Sequence, residues 1–392
     1  MMLNNYFAEV GYLSINHDKE QLCGDHIQVI RPDSKTTVLV LADGLGSGVK
    51  ASILSTLTSK MIATMIANNI SMIECVKAIA ETLPVCNERN IAYSTFSIIK
   101  ITENKFVEIY NYDNPMPFYL HNGKVVNLNM TCETIDNKRI YHTKIVASCD
   151  DTFVLLSDGV VHAGIGQILN FGWDLPQIHA YVEAVYDSKT SAKSLATTLI
   201  DYVNKLYDGK PGDDSTCAII KIRQRKQVNL MMGPPSTKED DEKMLSLFFG
   251  KEGKHIVCGG TTSHIVAEYL KKPLLYDLDY LDRNIPPTAK IEGVDLVTEG
   301  VITMNKVLEN VKNYYGDNSS YFDWCYLPDG ASQITRLLLE EATDINFFVG
   351  CAINAAHQQE GLALAFSTKM QIIDEMTKTL RLLDKNIKIS YF

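Results

Sequence analysis

Along the first 225 residues, short apolar runs alternate with polar turns, and helical periodicity appears in only a few stretches. Residues 7–15, 26–30 and 37–42 read as strands. The segment SGVKASILSTLTSKMIATMIANN, 47–69, reads as a long helix charged only at Lys50 and Lys60. A second helix, 72–84, ends at Pro84. Strands then follow at 94–101, 106–112, 117–121, 125–128, 139–147 and 152–156, with HNGK at 121–124 as an Asn-Gly hairpin turn. Helices return at 176–185 and 191–207, and a strand at 216–222 closes the set. Successive strands without helices between them imply antiparallel pairing. Two such groups with helices outside predict an α+β fold, an αββα sandwich of two antiparallel sheets flanked by helices.

After the basic break KIRQRKQ the pattern changes. Strand-like runs VNLMMG, KHIVCGG, VDLVTEG and INFFVGCAIN alternate with helical segments 238–249, 261–270, 302–314 and 331–342. This predicts a smaller α/β domain with a mainly parallel sheet. The expected domains are therefore 1–226 and 227–392.

Composition narrows the function classes. The 392 residues carry 37 Lys+Arg against 47 Asp+Glu, a net charge of −10. With no clusters of basic and aromatic residues, that balance argues against nucleic-acid or anionic-membrane partners. The nine cysteines include no CxxC pair and sit mostly in apolar runs, which reads as free thiols in a reducing compartment. The first twenty residues lack a basic, apolar leader pattern, and no apolar run is long enough to span a bilayer, so a cytoplasmic location is expected.

The chemistry centres on VLVLADGLGSGVKAS, where a buried strand runs into Asp43-Gly44. Gly46, Gly48 and Ala51 fit G-x-G-x-x-A, but no acid follows between residues 49 and 73 and no second parallel strand appears, which counts against a dinucleotide site. Asp25 in CGDHIQV, Asp158 in FVLLSDGVV, and Asp213 with Asp214 in KPGDDSTCAIIKI also lie at strand ends beside glycines. Each Asp-Gly pair taken singly reads as a turn. Gathered at one rim of a sandwich, carboxylates without His or Cys ligands suit hard ions such as Mg²⁺ or Mn²⁺.

In order and spacing, Gly24-Asp25, ADGLGSG, SDGVVHAG and PGDDST resemble the metal-dependent protein phosphatases of the two-C class, and within them the bacterial SpoIIE-like serine phosphatases. YDNPMPFYLHNGKV is similar to that branch's hairpin between the sheets. The resemblance covers about residues 5–223. It implies two Mn²⁺ or Mg²⁺ ions, with Asp43 bridging them and the Gly44 carbonyl as a further ligand. Asp158 and Asp213 would bind one ion, Asp25 would support the other, and Asp214 is the acid with the least definite role. It implies a phosphorylated protein as substrate and water activated by metal as nucleophile, and it makes the first helix pair a switch. His162 reads as a polar residue of the following helix and Arg31 as a solvated strand end. A catalytically silent phosphoprotein-binding scaffold is the alternative from the binding class.

In the second domain Ser236 and Glu239 form a capping box by pattern. GGTTSHIVAEYL has no acid before Glu268, so Gly259, Gly260, Thr261, Thr262 and Ser263 are the candidate anion or small-ligand site, beside the plainer reading of an ordinary threonine cap. The weakly charged helix 47–69 needs a cover, from the sandwich, the second domain or a homodimer partner.

Overall fold

The computed structural model describes residues 5–82, 85–86, 91–92, 94–135, 138–277, 285–352 and 361–392. Pro84, the expected end of the second helix, and Ile353-Asn354 of INFFVGCAIN lie outside them. The chain divides into two compact units, Met1–Gln224 and Arg225–Phe392.

The first unit holds strands β1 (Tyr6–Ile15), β2 (Asp25–Asp33), β3 (Thr36–Gly44), β4 (Val85–Cys86), β5 (Ile91–Ala92), β6 (Ser94–Thr102) and β7 (Phe106–Tyr112). It continues with β8 (Phe118–His121), β9 (Lys124–Val126), β10 (Thr131–Ile135), β11 (Lys138–Val146), β12 (Thr152–Leu156) and β13 (Ser215–Gln224). One antiparallel sheet runs β1-β13-β12-β8-β9 and the other β10-β11-β7-β6-β3-β2, with β4 and β5 as a separate ribbon. Helices α1 (Gly48–Ala67) and α2 (Met72–Thr82) pack on the second sheet. Past the one-turn helix α3 (Asp158–Val161), α4 (Leu175–Val185) and α5 (Ala192–Leu206) pack on the first.

This is the αββα sandwich, and the central strands explain it. In β3, Val38, Val40 and Ala42 face the helices while Leu39 and Leu41 meet the other sheet. In β12, Phe153 and Leu155 face the sheet interface while Val154 and Leu156 face α4 and α5. Strands buried on both faces need unbroken apolar runs, and these have them. The Asn122-Gly123 turn has φ of 52° and 74° at its two residues, the left-handed pair that a tight hairpin requires. Strand β10 was not expected; its sequence TCETI is half polar and exposed, as an edge strand allows.

The second unit continues with strands β14 (Gln227–Met232), β15 (Lys254–Cys258), β16 (Leu275–Tyr276), β17 (Ala289–Lys290), β18 (Leu296–Thr298), β19 (Asp344–Val349) and β20 (Asn386–Tyr391). Their order is β16-β17-β18-β15-β14-β19-β20, parallel from β18 to β20 and antiparallel at the β16–β17 edge. Helices α6 (Asp241–Phe249) and α7 (Gly260–Leu270) cover one face, and α8 (Val301–Tyr315), α9 (Tyr321–Trp324), α10 (Gly330–Arg336) and α11 (Gly361–Leu382) accompany the other. The segment expected as one helix at 331–342 is α10 followed by a π turn at Leu337–Glu341. The capping box does not form: the Ser236 hydroxyl is donated to the Phe392 carbonyl, and Lys238–Asp240 is a 3₁₀ turn before α6. Among the described residues no helix is long and apolar enough to cross a membrane.

In the first unit, Glu9 of β1 accepts two hydrogen bonds of 3.0 Å from Arg223 of β13 and one of 3.0 Å from the Ala192 amide at the start of α5. Glu9→Ala is expected to destabilise the unit by about 3–5 kcal/mol, because it strips a buried guanidinium of its counterion. Glu9→Leu with Arg223→Met should recover most of the loss. Urea unfolding followed at Trp173, with Trp324 replaced by Phe, measures both.

Candidate active site

Strands β2 and β3 pair with Asp25 directly opposite Asp43. Alternation along β3 puts Asp43 on the same face as Leu39 and Leu41, the face turned toward the other sheet. In that other sheet, β12 ends at Leu156 and Asp158 opens α3, while β13 begins at Ser215, directly after Asp213 and Asp214. Because β12 and β13 are antiparallel neighbours, the end of one lies beside the start of the other. All five acids therefore reach one rim of the sandwich.

There Asp158, His162 and Asp213 each offer a ligand atom within 4.8 Å of the others. His162 Nδ1 stands 4.0 Å from Asp158 Oδ2, and both side chains are about half exposed. Asp43 shares a hydrogen bond with Asp158 and feels the charges of Asp25, Asp158 and Asp213. Burial, followed by these neighbours, pushes its pKa up to about 10. Asp25 is pushed to about 8, mainly by burial; Ser157 and Thr216 pull it partway back, and Asp214 and Asp158 add to the rise. Asp213 is raised to about 6 by burial and then by Asp158. Neither carboxylate oxygen of Asp25 makes a hydrogen bond of good geometry, nor does Oδ2 of Asp214. Asp214 Oδ1 accepts the His17 amide at 3.0 Å, so this acid is half engaged in holding the β1–β2 loop.

The loops that carry these acids are pinned. A Cβ on Gly44 would fall 2.1 Å from the Ala51 carbonyl oxygen, so only glycine lets the first turn of α1 close on the end of β3. Ser94 donates its hydroxyl to the Asp43 carbonyl at 2.9 Å, and Tyr207 donates to the Gly159 carbonyl at 2.7 Å. His26, next to Asp25, bonds Ser59 of α1 at 2.7 Å, a second tie between the acidic rim and that helix.

Two sequence readings change. His162 joins the acidic cluster as the last ring of a one-turn helix; its spacing of four from Asp158 was the available signal. Arg31 is not a solvated strand end: it donates to Thr37 Oγ1 and to the Ala8 carbonyl, over the Phe7 ring. In the second unit, Gly259 (φ 114°) caps α7 and Gly260 and Thr261 open it. Thr262 and Ser263 are buried, and the Ser263 hydroxyl turns back to the Gly259 carbonyl at 2.8 Å.

Residues 33–223 match the family model for Stage II sporulation protein E (SpoIIE). Among solved structures, the chain is similar to the PP2C phosphatase domain with a fragment of the regulatory domain of the cell fate determinant SpoIIE from Bacillus subtilis, at 17% identity and a TM-score of 0.48. That match covers 56% of this chain and 64% of the SpoIIE chain, less than two thirds of its length. The RsbU and RsbW domains of Rv1364c from Mycobacterium tuberculosis align at 12% identity and a TM-score of 0.47, over 62% of this chain and 68% of that one. RsbX in complex with magnesium aligns at 17% identity and a TM-score of 0.40, over 56% and 96% of the two chains. No curated protein sequence matches the chain significantly.

Like charges crowded at a buried rim oppose folding when nothing neutralises them. In chelator, Asp43→Asn is expected to melt higher than the parent chain, at about 2–4 °C for each kcal/mol of repulsion relieved. Carboxyls with raised pKa hold protons that the unfolded chain releases. The parent's stability in chelator therefore falls as pH climbs from the ordinary carboxylate range through about 8 for Asp25 and on to about 10 for Asp43, and the variant's falls less. Calorimetry of both proteins from pH 5 to 9, a range set about these shifts, tests the sign.

Proposed function

We propose that this chain, whose residues 33–223 form a SpoIIE-like domain of the metal-dependent serine phosphatase family, hydrolyses phosphoserine or phosphothreonine on a protein substrate with the help of two Mn²⁺ or Mg²⁺ ions. The observation that carries the reading is the group of buried carboxylates at one rim, some of whose oxygens make no hydrogen bond of good geometry. A donor set dominated by carboxylate oxygens, with His162 at its edge, fits a hard divalent ion. Asp43 would help to hold both ions, since it is the acid that Asp25, Asp158 and Asp213 all act on. The Gly44 carbonyl would complete the set, with Asp214 close enough to Asp25 to act on its charge.

Bound there, such ions acidify water and neutralise charge on a phosphoryl group. The protein's own part is to aim. The bonds of Ser94 and Tyr207 hold the Asp43 and Gly159 backbones still, so the carboxylates need no reorganisation as charge develops. His162 stands half exposed at the mouth, placed to carry a proton toward the departing serine or threonine oxygen. The carboxylates supply what water attack needs, and the reading invokes no side-chain nucleophile.

Control belongs to the same reading. Helix α1 buries Ala51, Ser55, Ser59 and Ile62 but exposes Val49, Ile53, Leu57 and Met61, one residue every four. That stripe is suited to a second copy of the chain, and α1 bears directly on Gly44, so pairing would reach the acidic rim. The domain assignment, 1–226 as phosphatase and 227–392 as regulatory domain, is proposed with it. A small anion at the first-turn amides of Gly260, Thr261 and Thr262 is the ligand that the second domain would take.

Turnover of a phosphoserine peptide and of a chromogenic phosphate ester, with and without Mn²⁺, tests the central reading. Asp43→Asn and Asp158→Asn should each lower Mn²⁺-stimulated kcat by about 10²-fold or more, the scale on which losing one electrostatic stabiliser acts. Activity persisting in excess chelator would remove metal dependence, and no turnover by the parent chain would leave a phosphoprotein-binding scaffold. Ile53→Glu with Leu57→Glu should shift sedimentation from dimer to monomer and change turnover. A parent chain that sediments as a monomer overturns the pairing.

A further inference from the structure

Outside the acidic cluster, the first unit carries a cleft of about 390 Å³ at the crossing between its two sheets. Its walls include Asn111, Asn114, Met116, Lys138, Arg139 and Tyr141. Strand register ties this cleft to the acidic rim. Directly paired residues of an antiparallel sheet share a face. Asp43 pairs with Thr95 and Leu41 with Ser97. Ser97 pairs with Asn111, and Asn111 with Tyr141. Arg139, two residues before Tyr141, is on that face as well. Asp43 and Arg139 thus stand on one face of one sheet, at strand ends of the same rim.

The wall between them is built rather than loose. Thr95 bonds the Asn114 side chain, Asn114 Nδ2 donates to Ser97 Oγ at 3.0 Å, Ser97 donates to Asn111, and Asn111 Nδ2 donates to the Asn114 carbonyl at 2.9 Å. Ser97, Asn111 and Asn114 are buried. The network locks the 112–117 crossing loop against the strand that flanks Asp43. Among the described residues the cleft's charged lining is the exposed Arg139, the buried Lys138 and Asp113, the last at a left-handed turn with φ 59°. The guanidinium of the exposed Arg139 stands beside the Cys132 thiol.

We propose that this cleft is a second substrate subsite, which receives an Asp or Glu side chain of the phosphoprotein and so selects which phosphoserine is presented to the acidic rim. The inference rests on the phosphatase reading above. From β3 to β11 is three strand spacings, about 14 Å at ~4.8 Å each, which an extended peptide covers in about four residues. The selected carboxylate therefore lies about four positions from the phosphoserine.

The test uses the full chain with Mn²⁺ and phosphoserine peptides of neutral background, carrying one Glu, or one Lys, at each position within about six residues of the phosphoserine, a span set by the same strand geometry. The expected result is a kcat/KM about threefold higher for Glu than for the neutral peptide at a position about four away, carried by KM, the scale of one solvent-exposed ion pair. Arg139→Glu should abolish that ratio and favour Lys there. A profile flat across positions overturns the subsite, as does a Glu preference that survives in Arg139→Glu. The scan of the parent chain decides the matter even if the variant fails to fold. A chromogenic ester separates the two readings. Ester turnover with a flat peptide scan removes the subsite alone; no turnover of ester or peptide removes the phosphatase reading and the subsite with it.

Discussion

The constraint on which the first unit depends is the confinement of like charges. Asp25, Asp43, Asp158 and Asp213 share a partly dry rim, and burial raises three of them well above the ordinary carboxylate range. Such an arrangement is unfavourable to folding and is tolerable because the rest of the unit is a thick, continuous core. Both faces of β3 and β12 are apolar, and β13 is buried through Arg223, so the strands that adjoin the acids are anchored in the core. The charged residues occupy the last position before solvent, where a cation can reach them.

Helix α1 is tied to that rim at two points. Its first turn lies against Gly44 with no room for a side chain, and its Ser59 bonds the histidine next to Asp25. One face of the helix is committed to the sheet and the opposite face carries an apolar stripe. A displacement of this helix has two direct routes to the carboxylates. Packed interiors transmit such shifts because they do not deform smoothly.

The second unit follows a different logic. Its parallel strands carry small residues at their carboxyl ends, and acids already satisfy two of its helix starts. Glu299 accepts the Ile302 amide at 3.0 Å, and Asp329 accepts the Ser332 amide at 2.9 Å. Helix α7 starts without an acid. This difference between helices of one sheet is electrostatic, since a carboxylate at a helix start occupies the place an external anion would take.

Much of this was legible in the chain itself. Alternation and unbroken apolar runs are local properties, so strand positions, the long first helix and the change of pattern near residue 226 could be read directly. The acids at strand ends were visible for the same reason, each being a neighbour of a glycine and an apolar run. The edge strand β10 was not, because its half-polar sequence TCETI carries little periodic signal. Nor was the Ser236 hydroxyl's bond to Phe392, a partner from the far end of the chain. Tertiary structure alone decided that Asp25 stands opposite Asp43, that His162 joins Asp158 and Asp213, and that Arg139 shares a sheet face with Asp43. The physical reason is register: it is set by which strands pair and by how loops close, and a shift of one residue would turn every one of these side chains to the other face.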